Sequence, residues 1–535
     1  LPGGAWRVSL LPETEEVSDM RMAMRGTVLM LGLLGGCAAV SHSLEPVEPA
    51  GPSAVLQRSL SDWAGGGTSV AIVEHYLQRI RADESSGATN AVLALNPNAT
   101  ADAQARDAAR PQDAGPLYGL PILIKDNIET LDPMPTTAGS LALAANITHR
   151  DSPLVARLRA AGMVILGKTN LSEWANIRDG NSTSGWSAVG GQTHNPHRFG
   201  FNPCGSSSGS AAAVAAGLAP AAIGTETDGS IVCPAAVNGI VGFKPTVGLV
   251  SRRYIVPISV SQDTAGPMTL TVRDAALLLT VMAGTDSEDP ATAAADARRV
   301  DYAAGLSADG LRGVRIGVLT LEGTNADVFG AATARLAAAG AVLVPIDPDL
   351  TPLRAAGDDE FIVLMAELRS GLAAYLESLP ANGVSVRSLD DVIAFNRANA
   401  ALEMPFFGQS LFEEAAASDV TDADYRAARE RSLRATGAEG IDAWLARYNV
   451  DLIVAQTNGP AWQTTLGAGD SFEPPSASGA PAVAGYPHLT VPMGAVDGLP
   501  LGLSFIGPAW SDAAVLRAGY AFEVAGPALR VVPAP

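Results

Sequence analysis

Pro203–Thr246 reads PCGSSSGSAAAVAAGLAPAAIGTETDGSIVCPAAVNGIVGFKPT, and the fold turns on how this stretch is read. Small residues crowd two places, Gly205–Ser210 and Gly229–Ser230. Between them the Ala-rich run Ala211–Gly217 predicts a helix, and the apolar run Ala221–Gly224 a strand. A helix followed by a strand folds the chain back on itself. Ser206 and Ser230, 24 positions apart, can therefore return to one place. Glycine at such turns lets a substrate come close to the backbone. Consecutive N–H groups in a turn can hold a negative oxygen.

The same alternation continues outward. Val70, Val73, Leu77 and Ile80 repeat at helical spacing after Thr68-Ser69, a capping pair. Ala101–Arg110, Leu154–Ala161, Ala331–Ala339 and Asp512–Val524 are further expected helices. Expected strands are Leu120–Lys125, Met163–Leu166, Arg315–Leu319, Ala341–Ile346, Asp451–Gln456, Leu489–Pro492 and Leu501–Ile506. Strands alternating with helices predict an α/β fold, a single large α/β/α domain with a mixed sheet flanked by helices. The domain is expected over 56–530, with a mainly helical insertion at about 360–446.

Hydrophobic residues make up 47% of the 535 and charged ones 17%, enough apolar matter for a large core. The formal net charge of −20 and the lack of a basic run argue against a nucleic-acid partner. The six histidines never take a compact metal-binding spacing, and no metal or cofactor is expected. Three cysteines make no disulfide framework; Cys204 and Cys233 are expected as buried free thiols, with a bridge between them as the alternative.

The first residues carry an address. Met20–Arg25 is basic, Gly26–Gly36 is apolar but too short to span a bilayer, and Leu34-Gly-Gly-Cys37 closes the run. This pattern resembles a bacterial lipoprotein signal at 20–36, with Cys37 the lipidated residue. An ordinary secretory signal cleaved nearby is the alternative. Residues 1–19 contain Leu1 and four acidic residues, and are expected to lie upstream of the real start. Residues 38–55 form an expected flexible tether. Export is the expected localisation, and the lipid anchor the only expected tie to a membrane. Ala38 after the cysteine favours the outer membrane over retention at the inner one.

Two motifs invite a wrong reading. Gly162-Met-Val-Ile-Leu-Gly-Lys-Thr169 fits GxxxxGKT, but its middle is apolar and should be locked in a sheet, its N–H groups spent rather than aimed at phosphate. Lys168 is therefore expected to be structural. Gly205–Gly209 fits GxSxG, the nucleophile elbow, which needs a preceding hydrophobic strand and a later catalytic histidine. His197–Cys204 is broken by Gly and Pro, and the one later histidine, His488, sits in an apolar run as a core residue.

A third constellation needs no histidine. The stretch Pro203–Thr246 resembles the amidase signature family, hydrolases with a Ser–cis-Ser–Lys triad. Gly115–Ile128 (GPLYGLPILIKDNI), Gly167–Asn176 (GKTNLSEWAN) and Ala484–Pro508 are similar as well, so the resemblance runs from about Leu56 to Ala525. It implies a carboxamide hydrolase in which Lys125 takes a proton from Ser206, which follows a cis peptide bond. Ser206 in turn takes one from Ser230, the residue forming an acyl-enzyme. The backbone N–H groups of Thr227, Asp228, Gly229 and Ser230 are implied as the oxyanion hole. Taken singly, each serine suits a turn or a cap, and Lys125 a solvated strand end.

Glu226-Thr-Asp-Gly-Ser-Ile-Val232 departs from the family's commoner DTGGSIR at three positions. All three departures resemble the peptide amidase subgroup, which acts on C-terminally amidated peptides. Peptide carboxamides are thus the expected substrates, with small aliphatic or aryl amides as the alternative. A non-catalytic surface binding protein on the same fold is the alternative of another class. The sequence leaves the oligomeric state open.

Overall fold

Short apolar runs between glycine and proline turns become strands, in chain order β1 (Val92–Leu95), β2 (Pro121–Lys125), β3 (Val164–Thr169), β4 (Trp186–Ser187), β5 (Gly191–Gln192), β6 (Ala221–Glu226), β7 (Val241–Lys244), β8 (Thr264–Thr269), β9 (Arg315–Leu319), β10 (Val342–Ile346), β11 (Leu452–Gln456), β12 (His488–Val496) and β13 (Leu499–Ile506). The computed structural model describes residues 57–534 apart from 64, 65 and 382. The signal, Cys37 and the tether thus lie outside the described residues. Eleven strands join in one sheet, ordered β1-β3-β2-β6-β8-β7-β12-β13-β11-β9-β10, while β4 and β5 pair apart from it. The sheet is mixed. β2 runs parallel to both β3 and β6, the centre is antiparallel, and β11-β9-β10 is parallel again.

Helices flank the sheet. Thr68 caps the helix Ser69–Ser86 by accepting from Ala71 N–H, and Val73, Leu77 and Ile80 turn into the core. The helix Ser208–Ala215 is buried on every side and packs on β2, β3, β6 and β8, which explains its run of alanines and glycine. At Gly209 a Cβ would lie 2.4 Å from Ala91 O and 2.5 Å from Asn170 O, so nothing larger fits.

Beyond the sheet, Thr351–Glu377, Leu389–Ala398, Ser410–Ala417, Asp422–Thr436 and Asp442–Tyr448 form a mainly helical region. Leu368, Leu372, Val392 and Phe412 gather there with Leu143 and Trp174 in an apolar cluster separate from the main core. Buried Arg178 ties this region down through Glu173 and Glu403.

Five strands escape the sequence pattern: β1, β4, β5, β7 and β8. β8, TAGPMT, carries Gly266 and Pro267 in its middle, where proline cannot donate to a ladder. Gly266 is required there because a Cβ would stand 2.0 Å from Phe243 O: the neighbouring backbone needs the space. β7, VGFK, is too short to show a period.

Candidate active site

The parallel pairing of β2 with β6 brings their carboxyl ends to one edge, where open α/β sheets hold ligands. Lys125 is the last residue of β2. β6 runs out at Glu226, and the turn Thr227–Ser230 leads into the helix Val232–Val237. The turn Cys204–Ser207, ahead of the buried helix, arrives beside it. Ser207 N–H donates to Ser230 O at 3.1 Å, and Ser207 Oγ donates to Thr225 O at 3.0 Å.

The expected residues meet here. Lys125 Nζ donates to Ser206 Oγ at 2.8 Å, to Thr225 Oγ1 at 2.8 Å and to Thr225 O at 3.3 Å. The peptide bond Gly205–Ser206 is cis. A Cβ at Gly205 would meet Ser172 Oγ at 2.1 Å, so the turn is closed to any side chain at that position. Ser206 is sealed from solvent (0%), whereas Ser230 keeps 8% exposure. Of the two serines, only Ser230 keeps any exposed surface. Among the described residues, the N–H groups of Thr227, Asp228, Gly229 and Ser230 have no acceptor, leaving four consecutive donors free.

Burial brings the Lys125 amine down to about 7, opposed by the charges of Asp263 and Glu226. Its neutral form is therefore well populated near neutrality. Asp263, itself raised to about 6 by burial, accepts from Thr227 Oγ1 at 2.6 Å and from the N–H groups of Ile258 and Ser259. Glu226 Oε2 accepts from Ile231 N–H at 2.7 Å and Val232 N–H at 3.0 Å, bracing the chain just past Ser230. Asp228 is exposed and lies beside Ser478 and Gly479. Nearby Glu360, which accepts from Gln262 Nε2 at 2.7 Å, is pushed up to about 8 by burial and by Asp228.

Thr225, Asn127 and Asp263 went unnoticed in the sequence. Asn127 Nδ2 donates to Thr225 Oγ1 at 3.0 Å, so Thr225 gathers two donors on one oxygen. Nothing in IGTE marks that threonine; only the facing of β2 and β6 gives it a role.

The thiol expectation is corrected. Cys204 and Cys233 form a disulfide, because the two turns converge and bring their Cα atoms to 6.0 Å, within bridging distance. Spacing along the chain, 29 residues, gave no hint of it.

Both decoy motifs are explained. Val164–Thr169 is β3, fully buried and paired on both sides, so no phosphate loop exists there. Lys168 Nζ donates to Ile128 O at 2.6 Å and Thr136 Oγ1 at 2.7 Å, with Asp126 at 3.8 Å. His488 Nε2 pairs with Ser504 Oγ at 2.6 Å inside the sheet, and burial lowers it to about 3. No histidine among the described residues hydrogen-bonds to Ser206, Ser207 or Ser230.

The family model for Amidase matches residues 71–516. The chain belongs to the amidase family. This amidase is similar to the native peptide amidase of Stenotrophomonas maltophilia, at 48% identity and TM-score 0.84, over 89% of this chain and 98% of that one. It is equally similar to a peptide amidase held with the competitive inhibitor chymostatin, at 49% identity and TM-score 0.85, over 89% and 99%. An amidase family protein of Bacillus anthracis is more distant, at 33% identity and TM-score 0.81, over 90% of this chain and 92% of that one. The amidase is thus a hydrolase of amide C–N bonds, built on a large mixed sheet flanked by helices. No helix among its described residues is long and apolar enough to cross a membrane.

Proposed function

We propose that this amidase converts a peptide C-terminal carboxamide to the carboxylate and ammonia through an acyl-enzyme on Ser230. The observation that carries the reading is the 2.8 Å contact between Lys125 Nζ and a sealed Ser206, beside the accessible Ser230. Neutral Lys125 takes the Ser206 proton as Ser206 takes that of Ser230, and the Ser230 Oγ–carbonyl bond forms. The oxyanion falls to the free N–H groups of 227–230; one such donor is commonly worth about 10²–10³ in rate. As the C–N bond breaks, the proton returns by the same path to the leaving nitrogen. Water then attacks the ester, its proton passing inward to Lys125; as the ester bond breaks that proton returns through Ser206 to Ser230 Oγ, and the product acid leaves and ionises in water.

The peptide-amide preference is supported by the likeness to peptide amidases and by space beside the site. A cavity of about 440 Å³ opens next to Thr225 and Thr227, walled by Tyr254, Val256 and Ile258. That is ample for an amino-acid side chain. Ammonia release from a peptide carboxamide, run beside benzamide and a Ser230→Ala control, tests the reading. Release from the peptide alone, lost in the variant, supports it. Release from benzamide alone moves the substrate to small amides, and activity surviving in Ser230→Ala removes the nucleophile.

Export with a lipid on Cys37 belongs to the same proposal. The apolar run ending at Cys37 supports it, as does a disulfide suited to an oxidising compartment. Radiolabelled palmitate that marks the wild type and Cys37→Ala equally would overturn it.

A further inference from the structure

Cys204 and Cys233 stand in a particular relation to the two serines. Cys204 precedes Gly205-Ser206-Ser207, and Cys233 follows Ser230-Ile231-Val232. The disulfide joins the outer ends of these two segments, and the Ser207 N–H···O Ser230 bond joins the inner ends. Residues 204–207 and 230–233 thus close into a small ring. One link is covalent and one is a hydrogen bond, and both serines of the proton path are members. Cys204 is further held at φ +56, with its N–H donating to Asn202 Oδ1 at 2.8 Å and its O accepting from Ser208 Oγ at 2.6 Å. Cys233 N–H donates to Gly229 O at 2.8 Å, tying the same ring to the oxyanion turn.

We infer that Cys204 and Cys233 are positioning residues for the hydrolysis, their bond setting Ser206 against Ser230. This rests on the proposed roles of those serines. With the sulfurs parted, the one direct hydrogen bond left between the two segments among the described residues is Ser207 N–H···O Ser230, with Asn238 Nδ2···O Pro203 at 2.9 Å just outside them. Each of these bonds allows a small sliding that a disulfide forbids. A displacement of about 1 Å at reacting groups can cost about 100-fold in rate. The cavity walls at Tyr254, Val256 and Ile258 lie outside the ring, so binding is spared. The bond is open to chemical test, since Cys204 and Cys233 keep 6% and 7% exposure.

The experiment compares the full chain before and after treatment with a water-soluble phosphine. The phosphine supplies two electrons and takes the oxygen of one water, whose two protons go to the sulfurs; mass spectrometry after alkylation counts the thiols. Cys204→Ser/Cys233→Ser is measured in parallel. The expected result is kcat for a peptide carboxamide lowered by about 10-fold or more, with KM within about twofold and the circular dichroism unchanged. Oxidised glutathione should restore the reduced wild type and leave the variant unmoved. Reduced enzyme that keeps its kcat would overturn the inference. So would a loss of kcat that tracks loss of helical signal, or an untreated active chain with both thiols free. The reduced wild type and the variant are read independently, so a bond that resists reduction, or a variant that fails to fold, leaves the other to decide. An untreated chain with an intact bond and no amidase activity would instead count against the proposed function.

Discussion

Lys125 Nζ and Ser206 Oγ lie 2.8 Å apart, and neither residue touches solvent. An ammonium in that position could only donate. A neutral amine can accept, so under the proposed mechanism the protonation state of one buried group decides whether the site works.

The pH profile follows from that. With the Lys125 amine near 7, kcat/KM should rise as pH climbs through about 7 and level off above it. Below that point the charged lysine dominates, and activity should fall about tenfold per unit. Asp263, near 6, protonates within the same fall and removes a negative charge that holds the lysine amine up, so the fall should become shallower below about 6. A rate profile from pH 5 to 9 checks this; a flat profile below 7 would sink the lysine base.

Thr225→Val should damage turnover. It deletes the oxygen that receives both Lys125 Nζ and Asn127 Nδ2 while keeping the shape of the side chain. Two neutral hydrogen bonds at about 0.5–1.5 kcal/mol each are lost, so kcat should fall about 5–100-fold with little change in KM. Steady-state kinetics on a peptide carboxamide would show the split.

Lys168→Met addresses stability and leaves the chemistry alone. It strands Asp126 in the core, since Lys168 is the cation 3.8 Å away. Breaking a buried pair costs about 3–5 kcal/mol, to be read from the midpoint of urea unfolding. ATP should leave the unfolding of the wild type where it is, because β3 spends its N–H groups in the sheet.

Asp228→Asn tests discrimination between amide and acid. The carboxylate sits two residues before Ser230, with Glu360 beyond it raised to about 8 and therefore mostly uncharged at neutrality. A substrate ending in a free carboxylate meets the Asp228 charge. Removing it should let the peptide-acid product inhibit about tenfold more strongly, given a typical cost of about 1–2 kcal/mol for close like charges at effective dielectrics between protein and water. Unchanged product inhibition would assign Asp228 a purely backbone role.

Much of this was visible in the residues. The helix Asp512–Val524 and the strand Arg315–Leu319 match their sequence ranges, because each is a clean apolar pattern between breakers. Lys125, Ser206 and the 227–230 turn were picked out by the resemblance of their segments to the amidase signature family, since each residue taken singly suits a turn, a cap or a strand end. What escaped depended on the meeting of distant segments. Thr225 is one threonine in a strand until Lys125 faces it. Cys204 and Cys233 are two small buried residues until their turns converge. β8 hides because a neighbouring backbone, rather than its own side chains, requires Gly266.

The helix Thr351–Glu377 adds a last point. Its Leu368 and Leu372 sit in the second apolar cluster, yet its Glu360 reaches toward Asp228 and its Tyr375 lines the 440 Å³ cavity. None of Lys125, Ser206 or Ser230 belongs to it. The residues proposed to cut the bond and this side of the cavity wall are thus carried by different elements. Refitting the wall to another acyl group leaves the cutting edge untouched, which makes this helix the natural handle for changing what the amidase accepts.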